Sequence, residues 1–106
     1  MGKRVKVFIS QPMRGKTPEA IQAERDEVIE GLKEGYGSEA VEGGEIEILD
    51  SYFKDFYGNR VQFLGKSISL LGEADVVVFC KGWALTPGCR MEEMVAKEYE
   101  IERIYL

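Results

Sequence analysis

The sequence has no histidine, and that absence excludes more chemistry than any single residue present supplies. No Ser-His or Cys-His nucleophile pair can form, and neither can an H-E-x-x-H zinc site. Two cysteines, Cys80 and Cys89, make no disulfide framework, and without histidine they are a poor zinc set. Any catalysis therefore falls to carboxylates, hydroxyls, lysine, arginine or backbone amides, with no metal and no cofactor called for. No run is long and apolar enough to read as a membrane span or an export segment, so a reducing cytoplasm is the expected setting. Surplus positive charge is missing too: the 106 residues carry a formal net charge of −5. An acidic chain has no general grip on a nucleic-acid polymer, although a local cluster of donors can still hold a small anion. The phosphate-binding G-x-x-x-x-G-K-[ST] and dinucleotide-binding G-x-G-x-x-G patterns are both absent.

What is present reads as one globular domain spanning residues 1–106, with 44% apolar and 31% charged residues, both ordinary for that class. Arg4 to Ser10 is a β-branched and aromatic run that predicts a first strand. Thr17-Pro18-Glu19 then announces a helix: a hydroxyl cap, proline at the first helical position, and a carboxylate at the positive dipole end. Ile21, Val28, Ile29 and Leu32 share one face of that helix, which is expected to stop near Gly35 or Gly37. Gly35 to Gly44 reads as a loop and Ile46 to Leu49 as a short second strand. Val61, Leu64, Ile68 and Leu71 recur at spacings of three and four, predicting a second helix. Asp75 to Cys80 is apolar after its first residue, the mark of a strand covered on both faces. Lys81 to Pro87 is a loop, Cys89 to Tyr99 a third helix, and Ile104 to Leu106 a closing strand.

This alternation predicts an α/β, three-layer, flavodoxin-like or Rossmann-like domain: a parallel four-stranded sheet of order 2-1-3-4 with helices on both faces. Ligands of such sheets bind at the carboxyl ends of the strands, at the switch point beside the first strand. Two loops lead there, each into a helix N-terminus where free N–H groups favour an anion. In the first, Gln11, Met13, Arg14 and Gly15 offer an amide, a cation and a close backbone approach to a phosphate or sugar hydroxyl; the same segment reads equally as a turn with solvated charges. The second carries Trp83, Thr86, Gly88, Arg90 and two glutamates. Glu93 has Lys97 four residues on, the order of an exposed ion pair. Glu92 stacks over Val95, Ala96 and Tyr99, on the side that should face the sheet, and projects toward the crevice. The plainer role for Glu92 is to complement the helix dipole.

At three of these segments the chain resembles the nucleoside 2-deoxyribosyltransferase-like family, which includes the deoxynucleoside 5′-monophosphate N-glycosidases. They are V-F-I-S-Q-P-M-R-G at residues 7–15, A-D-V-V-V-F at 74–79 and G-C-R-M-E-x-x-x-A at 88–96. The resemblance implies N-glycosidic cleavage or transfer on a deoxynucleoside or its 5′-monophosphate. Glu92 would attack C1′ and form a glycosyl-enzyme intermediate. The loop at Gln11, Met13, Arg14 and Gly15, with the amides and hydroxyls around Thr86, matches the region that holds sugar and phosphate, and Ser10 and Gly88 are further substrate-binding candidates. It also implies a homodimer or higher homo-oligomer.

The chain departs from that pattern twice. Phe8 stands where the family often has a tyrosine that orients the nucleophile. Ser67 stands where its second helix has an aspartate facing the site. Leaving-group protonation needs a second acid, and Asp50, ending the second strand, is the candidate, though such an aspartate is commonly a turn residue. Arg90 is a candidate partner for Glu92 that would lower its pKa. Trp83 offers a face for a base or a cover for the core. The aromatics from Tyr52 to Phe63 read first as core or subunit interface. Cys89 sits where a helix N-terminus could activate a thiol. Two alternatives stay open: a non-catalytic nucleotide or small-molecule binding domain of the same fold, and a receiver-type regulatory domain. The latter needs clustered aspartates where this chain has Ser10 and Cys80.

Overall fold

Successive side chains of a strand point to opposite faces of a sheet, and the first strand thereby founds two cores. The computed structural model describes residues 4–106. Its elements run β1 (Val5–Ser10), α1 (Pro18–Tyr36), α2 (Ser38–Glu42), β2 (Ile46–Ile48), α3 (Arg60–Leu71), β3 (Val76–Phe79), a single 3-10 turn (Trp83–Leu85), α4 (Pro87–Glu98) and β4 (Glu102–Tyr105). The strands form one parallel sheet of order β2-β1-β3-β4. Val7 and Ile9 of β1, with Ile46, Val76, Val78 and Cys80, pack beneath Val28 and Leu32 of α1 and meet Ala40 and Val41 of α2. Phe8 goes the other way, joining Val77, Phe79 and Leu49 against Leu71 of α3 and Ala96 of α4. Helices therefore cover both faces, and the three-layer flavodoxin-like arrangement is the one the alternation of elements predicts.

Local chemistry sets the helix ends. Thr17 Oγ1 accepts from the Ala20 N–H at 3.1 Å, and Pro18 opens α1. Gly37 closes α1 at φ +99°, a backbone setting that glycine reaches without a Cβ penalty, and its N–H donates to the Lys33 carbonyl at 2.8 Å. Asn59 and Gln62 cap α3 reciprocally. The structure departs from expectation in several places, among them β4, which runs Glu102–Tyr105 rather than Ile104 to Leu106, and α4, which opens at Pro87 rather than Cys89. The Gly35 to Gly44 loop contains the short helix α2, whose Ala40 and Val41 gain contact with the first core. β2 ends at Ile48 rather than Leu49. Val61, expected on the buried face of α3, is 77% exposed, and burial on that helix is confined to its second half, at Ser67 and Leu71. No helix among the described residues is long and apolar enough to cross a membrane.

Candidate functional site

Helical spacing carries one carboxylate inward. Cys89, Glu92 and Ala96 lie at i, i+3 and i+7 on α4 and form its buried stripe. Glu92 is consequently only 6% exposed, although it sits near the opening of the helix. Ser10, two residues beyond Phe8, ends β1 on the same face of the sheet, and its Oγ donates to Glu92 Oε1 at 2.6 Å. From α3, Ser67 is buried one turn before Leu71, and its Oγ donates to Glu92 Oε2. Both oxygens of the carboxylate are thus held, each by a hydroxyl from a different element. Burial pushes the Glu92 carboxyl above the usual carboxylate range, while the hydroxyl donors Ser10 and Ser67 pull it back.

Arg90 plays no part in this. It is exposed and makes no hydrogen bond or ion pair with Glu92, because two residues along a helix separate side chains by more than half a turn. The expected Arg90–Glu92 pair and its lowered pKa are therefore replaced by a carboxylate raised through burial. Glu93 likewise does not pair with Lys97; it accepts from the Tyr105 hydroxyl at 2.8 Å. Cys89 is buried beside Ser10, and burial pushes its thiol up to about 11, so the helix N-terminus does not activate it. Burial pushes the Cys80 thiol up to about 12.

The first loop divides into an anchored base and an open tip. Gln11 is buried, and its Nε2 donates to the Ile21 carbonyl at 2.8 Å and to Glu24 Oε1 at 3.0 Å. These two acceptors fix the orientation of the amide, so Gln11 Oε1 stays buried without a hydrogen-bond partner. Met13 is half-buried, whereas Arg14 and Gly15 are exposed, with Gly15 at φ +78° turning the chain so that Lys16 N–H reaches the Met13 carbonyl at 3.1 Å. In the second loop, Thr86 Oγ1 donates to the Gly82 carbonyl at 3.1 Å. Gly88 is half-buried, and a Cβ built on it would lie 4.0 Å from Leu64. Trp83 packs on Phe79 and Tyr105, with ring centroids 5.5 Å away in each case, and so covers the β3–β4 end of the core. Phe8 is also core, 1% exposed, and lies beneath the site rather than in it.

No family model matches the sequence, and no curated protein does. The chain is similar in structure to a conserved protein from Enterococcus faecalis known from a crystal structure, with a TM-score of 0.69 at 14% identity. The likeness covers 96% of this chain and 62% of that one, so the chain spans less than two thirds of its neighbour's length. At that identity the likeness shows the fold alone.

Two of the cavities among the described residues lie against α1, and Glu92 lines neither of them. One, about 550 Å³, lies between α1 and the β3–β4 half of the sheet and has a mainly apolar wall of Val28, Leu32, Val78, Ile104 and Leu106. The other, about 380 Å³, sits between α1 and the segment joining β2 to α3. Asp50 is exposed there and makes no hydrogen bond to Glu92, whose partners are Ser10 and Ser67. The same cavity is lined by Arg25, which no motif of the sequence marks as a site residue. Arg25 lies four residues after Ile21 and three before Val28, so the spacing that marked the apolar face also marked this cation. Its Nη1 donates to Ser51 Oγ at 3.0 Å and its Nη2 to the Leu49 carbonyl at 3.3 Å, while Ser51 Oγ donates to the Ile9 carbonyl at 3.0 Å. Beside them, Phe53 and Phe56 pack edge-on against Phe63, which makes the Tyr52 to Phe63 aromatics a local cluster.

Proposed function

We propose that the chain cleaves or transfers the N-glycosidic bond of a deoxynucleoside or its 5′-monophosphate, with Glu92 as the nucleophile. The observation that carries this reading is the placement of Glu92: a buried carboxylate at the strand ends, with each oxygen held by a hydroxyl, from Ser10 and from Ser67. Such a group is costly to keep unless it is paired or used. One carboxylate oxygen would bond to C1′ as the C1′–N bond breaks, its electron pair leaving with the base, which takes up a proton. Water attacking C1′ would then release the sugar and restore the carboxylate, whereas a second base would complete a transfer. Ser67, in place of an acidic residue, holds the nucleophile by a hydrogen bond. The buried Gln11 Oε1, next in sequence to Ser10, has no protein partner and would accept from a substrate hydroxyl that reached it. Arg14 and Gly15 at the exposed loop tip are suited to a 5′-phosphate.

A second reading, a binding domain that holds the nucleotide uncleaved, is favoured by one observation: no second carboxylate hydrogen-bonds near Glu92 to protonate the leaving base, and Asp50 lines a cavity that Glu92 does not. The proposal also includes a cytoplasmic setting and a homodimer or higher homo-oligomer, for which exposed Leu85, Met91 and Met94 around α4 offer an apolar face. Incubation with a panel of deoxynucleosides and their 5′-monophosphates, followed by chromatography of free base, tests the chemistry. Base release that disappears in Glu92→Ala supports the enzyme. Saturable binding with no release supports the binding domain, and release unchanged in Glu92→Ala removes Glu92 from the mechanism.

A further inference from the structure

The cavity beside β2 holds charges that neither the Glu92 site nor the core accounts for. Arg25 is 6% exposed, yet no carboxylate lies within ion-pair distance of it among the described residues. A guanidinium has five N–H donors and keeps its charge in a protein. Only two of these groups, Nη1 and Nη2, have protein acceptors, the neutral Ser51 Oγ and Leu49 carbonyl. A buried cation with no carboxylate in direct contact is a costly arrangement, and Asp50, lining the same cavity, acts on it only from beyond ion-pair distance. Two further cations line the same wall, Lys54 and Lys66, and neither is ion-paired. Ring faces hold both: Lys66 Nζ lies 4.5 Å from the Phe53 centroid and 5.4 Å from that of Phe56, and Lys54 Nζ lies 5.5 Å from that of Tyr52. Against these three cations stand Asp50 and Asp55, with the Gln22 amide completing the polar lining. In a chain of net charge −5 this convergence is a local exception.

We propose that this cavity binds a small hydroxylated oxyanion, its phosphate or carboxylate group taken by Arg25, Lys54 and Lys66 and its hydroxyls donating to Asp50 and Asp55. The planar fork of Arg25 suits two oxygens of one anionic group. The two aspartates oppose a bare anion but accept from hydroxyls, so they select a ligand that carries both. A volume of about 380 Å³ admits a compact molecule of this kind. The site does not use Glu92, so it stands or falls independently of the glycosidase reading.

The test is calorimetric titration of the whole chain with glycerol 3-phosphate, glycerate and inorganic phosphate, at ionic strength matched with chloride. The first two share a skeleton and hydroxyls but differ in the anion, so the tighter of them names the oxyanion. At least one should bind saturably and more tightly than inorganic phosphate. Arg25 also ties α1 to the end of β2, so the exposed lysines carry the decisive variant. Lys54→Gln/Lys66→Gln should keep the native melting temperature while binding falls about tenfold or more. Asp55→Ala should tighten inorganic phosphate and narrow the margin of the hydroxylated ligands over it. Binding should persist in Glu92→Ala. Absence of saturable binding by all three compounds, or binding undiminished in the double lysine variant, overturns the proposal whatever the base-release assay returns.

Discussion

Glu92 shows how one residue trades stability for a poised group. Its pKa in the folded chain lies above the ordinary value of 4.5, so the folded state holds that proton more tightly than the unfolded state does. The native state therefore has this contribution in full below about pH 4.5 and loses it as pH rises through the folded-state pKa. Glu92→Gln removes the titration while keeping shape and hydrogen-bonding capacity. The melting temperature of the variant relative to the parent should be near zero difference at pH 4 and rise steadily toward pH 8, as read by thermal denaturation across that range. A flat or falling difference would show that the hydroxyl donors outweigh burial. Ser67→Ala deletes one of those donors, so the carboxyl should titrate at higher pH than in the parent, measurable by carbon-detected NMR. The loss of a buried hydrogen bond to a charged group should also cost about 1–3 kcal/mol at neutral pH in urea denaturation. Spacing pointed Glu92 inward and the resemblance placed Ser10 and Ser67 near the site, but no local spacing paired them with the carboxylate, since they lie 82 and 25 residues away in sequence.

Elements were legible where their ends carry local chemistry. Thr17-Pro18-Glu19 announces α1 because the cap satisfies N–H groups within three residues. α2 escaped because a helix of five residues has no period to detect, and its Ala40 and Val41 are recruited by packing. Two glycines of α1 and its end separate these effects. Gly31 lies inside the helix, and a Cβ built there meets nothing within 4 Å. Gly31→Ala should therefore stabilise by about 0.5–1 kcal/mol through lost unfolded-state freedom. Gly37, at φ +99°, also has open space, yet Gly37→Ala should destabilise by about 1 kcal/mol or more because the backbone setting excludes a side chain. Chemical denaturation of the two variants should give opposite signs; a shared sign would sink this account of α1.

The whole molecule is covered unevenly. α1 and α2 alone serve one face of a sheet four strands wide, and toward β3 and β4 that face opens into the cavity of about 550 Å³. Its lining is mainly apolar, with Glu24, Glu27 and Lys81 also contributing, so an environment-sensitive apolar dye should bind the native protein there. Leu106 lines that cavity and is exposed, whereas Met94 is exposed on α4 and does not line it. Leu106→Ser should weaken dye binding about three- to tenfold, with Met94→Ser as the control that leaves it unchanged. The opposite pattern in a fluorescence titration would place the dye on α4.

The order of residues determined by itself the class of the fold, the ends of α1 and the direction of Glu92, because these follow from the local pattern of residues along the chain. It also excluded histidine chemistry by composition alone. Only the tertiary structure decided what surrounds those residues. It put Ser10 and Ser67 on the carboxylate, sent Trp83 and Phe8 to the core, turned Arg90 outward and gathered Arg25, Lys54 and Lys66 around one cavity. Burial and hydrogen bonding between distant segments depend on how the layers pack, and no local spacing encodes that.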